Sequence, residues 1–430
     1  MARHGLVWAW VGLALVGAGT SVRAADPPPW LPKYDLTIRL DPQQRRAKVV
    51  QRVTWTNRHP RPAADLVFNA HARYTIPDGE VGLIAKTVEL LRVAPKEALN
   101  FDGPALDMQS VRIVPASQED IALVKRHQPA EQLKFNYASD NPTSLTVALP
   151  RPIGEGESVT VELAFDFKIP AKKGRWSQWN DITALAQWLP VVAVYDEHGW
   201  HPTPFIPWHQ PFYNEAGIYT ARITLPTEYK LACSGAFQQV TDAGKGCTEY
   251  VVAPTPLRDF AVVASARFQE HVGQAGHVQV RCLHLPEHAH YAKELVDTAC
   301  AAIPVYEQWF GRYPYDQFTI AEACFGWNGN ECGGLVLIDD RMFNMPHMAR
   351  GYPTYLIAHE LCHQWWYNVV GTNGYAETWM DEGPATYFSH RFADQYFGRN
   401  NELIEYPKLA GWLPNIHRND LRNGGLIGER

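Results

Sequence analysis

From Tyr34 to about His271, apolar and polar residues mostly alternate, β-branched side chains are frequent, and Pro and Gly punctuate the runs. A period of two sends successive side chains to opposite faces of a strand, so this stretch predicts a β-rich unit. Its clearest strands are Tyr34–Leu40, Ala47–Trp55, Leu145–Leu149, Ser158–Phe167 and Tyr219–Leu225, with Asp259–Val263 near its end. Between them, Trp176 to Tyr213 holds five tryptophans and many prolines with no clean period, which predicts a long ordered loop. Past Cys282 the pattern changes. Glu287–Phe310 has helical spacing and is closed by Gly311-Arg312-Tyr313-Pro314, while Thr319–Ala323 and Leu335–Asp339 read as strands. A further apolar helix runs from Pro353 and Thr354 in its first turn toward Gly371, Asn373 and Gly374 at its end. The expected fold class is α+β, with a β-rich unit over residues 25–272 and a mixed helix-and-strand unit over 273–430.

That last helix carries His359-Glu360-Leu361-Cys362-His363. Two residues four apart lie about 40° apart around a helix and one turn apart along it, so His359 and His363 can offer imidazole nitrogens to one ion. Glu360, next to the first histidine, is placed to reach a water on that ion as a general base. Nineteen residues past His363 stands Glu382, in Trp379-Met380-Asp381-Glu382-Gly383, as the third ligand. Two imidazoles and one carboxylate leave a fourth position open, the mark of a catalytic zinc site, in which the pKa of the bound water falls to roughly 7. Pro384 fits only a first helical turn, which puts Glu382 near the start of the next helix. Cys362 is also a competent zinc ligand, but as one residue among apolar neighbours it is expected to pack as a small hydrophobe.

At these residues the chain resembles the M1 family of zinc metallopeptidases, the gluzincin aminopeptidases patterned HExxH, eighteen residues, then Glu. His359–Trp366 is similar to the family's HELAHQWF, and Trp379–Tyr387 to its WLNEGFATY. Upstream, Gly329-Asn330-Glu331-Cys332-Gly333-Gly334-Leu335-Val336 resembles the GxMEN segment in the secreted bacterial form MEYPGLV. The resemblance implies that Glu331 binds the free α-amino group of the substrate, so that one residue at a time leaves the N-terminus. An ammonium does need a fixed anion near the reacting bond. The segment departs from the pattern at Asn328, Asn330 and Cys332, which bears on specificity. Gln178 is the resemblance's candidate for a second amine-binding residue. The resemblance also implies a saddle-shaped N-terminal β domain followed by a thermolysin-like domain. It places the tyrosine that donates to the oxyanion downstream of Arg430. Tyr387, Tyr396 and Tyr406 come too early for that role, and losing one such donor costs about 10² to 10³ in rate. The 430 residues are therefore expected to be a C-terminally incomplete copy of a longer enzyme, weakly active at best.

Composition narrows the partners. Arg3 and His4, the apolar run Leu6–Val16 and the small residues up to Val22-Arg23-Ala24 have the order of a secretory leader, residues 1–24, cleaved after Ala24. The run is short for a spanning helix, so neither an anchor nor stable membrane insertion is expected, and the protein is read as exported, to the periplasm or beyond. Removing Arg3 and Arg23 leaves 37 basic against 45 acidic residues, a charge of −8, which argues against nucleic acid. Of seven cysteines, Cys233 and Cys247 lie in two strand-like runs around a Gly-containing loop and are the best candidate disulfide, with Cys324 and Cys332 a second possibility. His284, His288 and His290 cluster without a framing carboxylate pattern and read as a solvated turn.

The sequence thus describes a zinc metallopeptidase of the aminopeptidase kind: one Zn²⁺ per chain on His359, His363 and Glu382, base Glu360, and peptides with free N-termini as substrates. The competing readings are a zinc endopeptidase, which would cleave blocked peptides equally, and a non-catalytic peptide-binding protein or inactive fragment.

Overall fold

The computed structural model describes residues 27–114, 131–208, 212–346 and 351–397. The proposed leader lies outside the described residues. Among the described residues no helix is long and apolar enough to cross a membrane.

The alternating strands form as read. Lys33–Asp41 and Arg46–Thr56 pair as an antiparallel hairpin, burying Tyr34, Leu36, Ile38 and Leu40 beside Ala47, Val49, Val53 and Trp55. They sit inside a seven-stranded sheet whose order runs from Phe237–Gly244 through Cys247–Leu257, Gly217–Pro226, this hairpin and Ser158–Lys168 to Leu106–Ile113. Its pairs are antiparallel except Lys33–Asp41 against Gly217–Pro226, whose side chains stack Tyr34 on Tyr219 with ring centroids 4.3 Å apart. A four-stranded sheet of Val191–Val192, Ala63–Asn69, Ser144–Ile153 and Phe135–Tyr137 lies in the same apolar core.

The Trp-rich stretch is more regular than its sequence suggests. Trp176–Trp179 and Ile182–Leu185 form a hairpin whose two turn residues, Asn180 and Asp181, have φ of 49° and 62°. Asn and Asp tolerate that left-handed geometry, which suits the twist of a tight hairpin. The hairpin continues into Val262–Ser265 and Lys230–Cys233 as a second four-stranded sheet. This arrangement also overturns the Cys233–Cys247 pairing. Cys233 ends a strand paired with Val262–Ser265, Cys247 begins one paired with Gly217–Pro226 and Phe237–Gly244, and both thiols are free. The actual hairpin turns at Gly244-Lys245-Gly246, and an intervening strand separates the two cysteines into different sheets. Cys324 and Cys332 are likewise free.

The sheet that carries the site has five strands in the order Gln269–Ala275, Val278–His284, Gln317–Ala323, Leu335–Asp339 and Gly329–Cys332. It begins a few residues before the boundary read from sequence. Val278–His284, Gln317–Ala323 and Leu335–Asp339 run parallel, and the helix Ala289–Phe310 makes the first crossover. Gly311, at φ 95°, ends that helix. Gly329–Cys332 is the antiparallel edge. Against it packs the helix Gly351–Cys362, which also packs on Ala289–Phe310 and Trp379–Phe397. The Gly351 helix stops at Cys362 rather than near Gly371. Past His363 the chain tightens into short turns, with Gln364 N–H to Leu361 O and Trp365 N–H to Cys362 O.

Candidate active site

The helix Gly351–Cys362 places His359 and Glu360, and His363 extends its last turn by a 3.3 Å bond to the His359 carbonyl. The His363 Nδ1 donates to the Trp366 carbonyl at 3.0 Å, which leaves Nε2 bare toward His359. Glu382 lies in the first turn of Trp379–Phe397, whereas Pro384, expected in a first turn, falls inside the helix, where its missing N–H removes one helical hydrogen bond. The three ligand atoms form a triangle. The two Nε2 atoms are 3.2 Å apart, and Glu382 Oε2 is 3.2 Å from His359 and 3.6 Å from His363. Ligand atoms on a tetrahedral ion with bonds of about 2.0–2.1 Å are roughly 3.4 Å apart, so the donor set and its spacing fit zinc. Among the described residues, these three are the group that could hold a metal ion. Cys362 stays out of it, fully buried in the apolar core.

Carboxylates crowd the site. Burial pushes Glu360 well above the usual carboxylate range, and Glu331 and Glu382 add to this while His363 opposes it. Burial disfavours a charged His363, but Glu331, Glu382 and Glu360 outweigh it and raise its pKa. For half-buried Glu382, desolvation acts upward and the two imidazoles hold it well below the usual range. Buried Asp381 is pushed up to about 7, first by burial and then by Glu382 and Glu331 against the pull of His363. This excess of negative charge is what a dication neutralises.

Glu331 stands on the edge strand Gly329–Cys332, 5% exposed. Residues 329 and 331 share one face of that strand, and Gly329 faces Glu360 so closely that a Cβ there would overlap its carboxylate. The structure thus brings Glu331, Glu360 and the three ligands together. Gln178 is not part of this group: its amide donates to the Pro42 carbonyl at 3.0 Å. A second glutamine of that stretch, Gln187, reaches instead the strand residue that follows Glu331. It accepts from Arg175 Nη1 at 2.9 Å, donates to Asp259 Oδ2 at 2.7 Å, and lies 3.7 Å from Cys332 Sγ. Sequence reasoning missed it, although it is the one polar side chain in the apolar run Ala184–Val194, and its φ of 49° is strained for a non-glycine residue. Arg175 is 5% exposed, with its guanidinium carbon 4.6 Å from the Trp327 ring centre and 4.9 Å from that of Phe212. Burial lowers its pKa to about 10, Glu331 being the first of the anions that oppose the fall, so it stays charged at neutral pH.

The histidine cluster upstream is not the solvated turn expected of it, since His284 and His288 are buried and only His290 of the three is exposed. His284 bonds the Leu285 carbonyl, and His288 pairs at 2.8 Å with fully buried Glu322.

Residues 295–421 match the family model of the peptidase family M1 domain. The chain carries an M1 peptidase domain. Among curated relatives, probable aminopeptidase 2 of Sulfurisphaera tokodaii is 27% identical over 133 residues, which cover 29% of this chain and 17% of the relative. Aminopeptidase M1-A of Oryza sativa subsp. japonica is 30% identical over 121 residues, covering 26% and 14%. The matched stretch thus spans less than a fifth of either relative. The M1 zinc metallopeptidase of Deinococcus radiodurans superposes with a TM-score of 0.54 at 17% identity, over 85% of this chain and 71% of that one. A mutant of it bound to a Tyr-Ser-Ala substrate gives 0.54 at 17%, over 87% and 72%. At that identity the likeness is one of fold, and its coverage takes in both the five-stranded sheet and the N-terminal β-rich unit.

Proposed function

We propose that this M1 domain is a zinc-dependent aminopeptidase, with one zinc on His359, His363 and Glu382, base Glu360, and Glu331 as anchor for the substrate's free amine. The observation that carries the reading is the shared strand face: Gly329 abuts the Glu360 carboxylate, and Glu331 follows on the same side. A peptide whose first carbonyl lies at the base therefore has its α-amino group within reach of Glu331.

When bound, zinc supplies Lewis acidity to the water and to the scissile carbonyl. The protein's own groups do the rest. Glu360, buried and backed by Gly329, takes a proton from the attacking water and delivers it to the leaving amine. Glu331 fixes the ammonium in a site of low dielectric, where a charge-assisted contact is strong, and so sets the register of cleavage at one residue. The leader-like first 24 residues support export of the protein.

Hydrolysis of a peptide with a free N-terminus and of its acetylated twin tests this reading. The free form should be cleaved and the acetylated form spared, with cleavage lost in Glu360→Gln and after chelation. Glu331→Gln should lower kcat/KM for the free peptide by about 10². Equal cleavage of both peptides would make the protein an endopeptidase, and zinc binding without cleavage would make it a peptide-binding protein.

A further inference from the structure

An aromatic-walled pocket lies beside the Glu331 strand, with Trp176, Phe205, Trp208 and Trp327 in its walls. Its cavity of about 90 Å³ has room for several waters, or one large side chain. Trp208 meets Trp327 edge-on, with ring centroids 5.7 Å apart at 88°. Trp327 stands two residues before Gly329, and Glu331 is the first anion acting on the Arg175 charge, so the pocket and the Glu331 strand are neighbours.

The charges of this pocket are of one sign. Lys172, Lys173 and Arg175 line it, and no carboxylate does. Lys173 is matched by Glu97 at 3.0 Å, and Lys172 donates to the Lys96 carbonyl. Arg175, almost wholly buried, lies at the floor with its guanidinium against Trp327 and its Nη1 on Gln187.

We propose that Arg175 is a specificity-determining residue: it keeps a fixed positive charge at the floor of this pocket, which therefore takes an uncharged aromatic side chain from the substrate's first residue and rejects lysine or arginine. The inference rests on the reading of Glu331 as amine anchor. An aromatic ring gains edge contacts with the tryptophans and a face for the guanidinium. A cationic side chain leaves water, meets like charge and finds no counter-ion in the lining. An acidic one gains less, because Lys173 is paired with Glu97 and Arg175 lies in the field of Glu331.

Calorimetric binding to the zinc-loaded Glu360→Gln protein, which holds peptides uncleaved, tests this with Phe-Ala, Arg-Ala, citrullyl-Ala and acetyl-Phe-Ala. Phe-Ala and citrullyl-Ala should bind at least about tenfold tighter than Arg-Ala. Adding Arg175→Gln should narrow that gap to within about threefold, chiefly by strengthening Arg-Ala, while Arg175→Lys should preserve it. A general loosening of the fold would weaken all four peptides together and leave the ratios unchanged. The citrulline comparison reads the charge on the unaltered pocket, so it decides even where the glutamine variant does not fold. Equal binding of Arg-Ala and citrullyl-Ala, or a gap unmoved by Arg175→Gln, would overturn the role of Arg175. Acetyl-Phe-Ala binding as tightly as Phe-Ala would instead overturn the amine anchor, and a protein that bound none of the four would overturn both.

Discussion

Gly329 is pressed against the Glu360 carboxylate, so that a methyl group on residue 329 would overlap Oε1, Cδ and Cγ of Glu360. Glycine is required here for close approach and not for backbone conformation, since Gly329 is absent from the positive-φ glycines. The strand's backbone thereby forms a wall against the carboxylate proposed as the base. Gly329→Ala should displace Glu360 while leaving the three ligands in place. Misplacement of a catalytic group by about 1 Å costs on the order of 10² in rate, so kcat should fall by about that factor with zinc content unchanged. Steady-state kinetics paired with metal analysis checks this, and an unimpaired kcat would show that the carboxylate does not need the wall.

The ligand triangle predicts how metal loading responds to substitution. Purified protein should hold one zinc per chain. His363→Ala and Glu382→Ala should each remove most of it, whereas Glu360→Gln should retain it. Because a metal that binds only the folded chain stabilises it by mass action, chelation should lower the melting temperature of the wild type and leave the His363 variant almost unaffected. Metal analysis and thermal melts with and without chelator read both effects.

The cluster of candidate metal ligands was legible because its determinants are local. His359 and His363 are fixed by the period of one helix, Glu382 by a spacing that lands on the next, and Glu360 by adjacency. The strands Lys33–Asp41 and Arg46–Thr56 were legible for a similar reason: one face is buried and the other wet along their whole length. What the sequence hid is non-local. Gln178 and Gln187 lie in the same Trp-rich stretch, and only the hairpin turn at Asn180 and Asp181, with the strained backbone at Gln187, determines which of them reaches Asp259 and Cys332. Cys233 and Cys247 have the spacing of a hairpin pair, and the sheet order that separates them depends on strands distant in sequence. Arg175 carried no signal at all, because a buried guanidinium between Trp327 and Phe212 has no pattern in the chain.

Asp259 should tie stability to pH. Burial raises its pKa to about 7, the Gln187 hydrogen bond opposing and Glu331 assisting, against about 3.9 in an unfolded chain. The folded protein then keeps a proton that the unfolded chain has released between about pH 4 and pH 7. Stability from this residue is therefore fully present below about pH 4, declines through that window and is constant above it, at on the order of 1.4 kcal/mol per pH unit. Asp259→Asn keeps an acceptor for Gln187 and cannot titrate. Urea unfolding of chelator-treated proteins at pH 5 and pH 7.5 should show the variant gaining on the wild type as pH rises. A difference that does not change with pH would mean that Asp259 is already ionised in the fold.

Gln364, directly after the second histidine, clips the anchor strand to the metal helix. Its Oε1 accepts from the Gly334 N–H at 2.8 Å and its Nε2 donates to the Cys332 carbonyl at 3.0 Å, with the side chain wholly buried. Two backbone groups at the end of the Gly329–Cys332 strand therefore depend on this one amide. In Gln364→Ala both would lose this partner, at about 1–3 kcal/mol each, so a loss of roughly 2–6 kcal/mol of stability is expected by denaturant unfolding. The functional consequence should fall on the anchor more than on the metal. With the strand end released, Glu331 loses its fixed distance from Glu360, so KM for free peptides should rise while zinc stays bound. Gln364→Glu restores the acceptor for Gly334 and not the donor for Cys332, so it should lie between the two. A fall in kcat at unchanged KM would instead place the effect of the clip on the base.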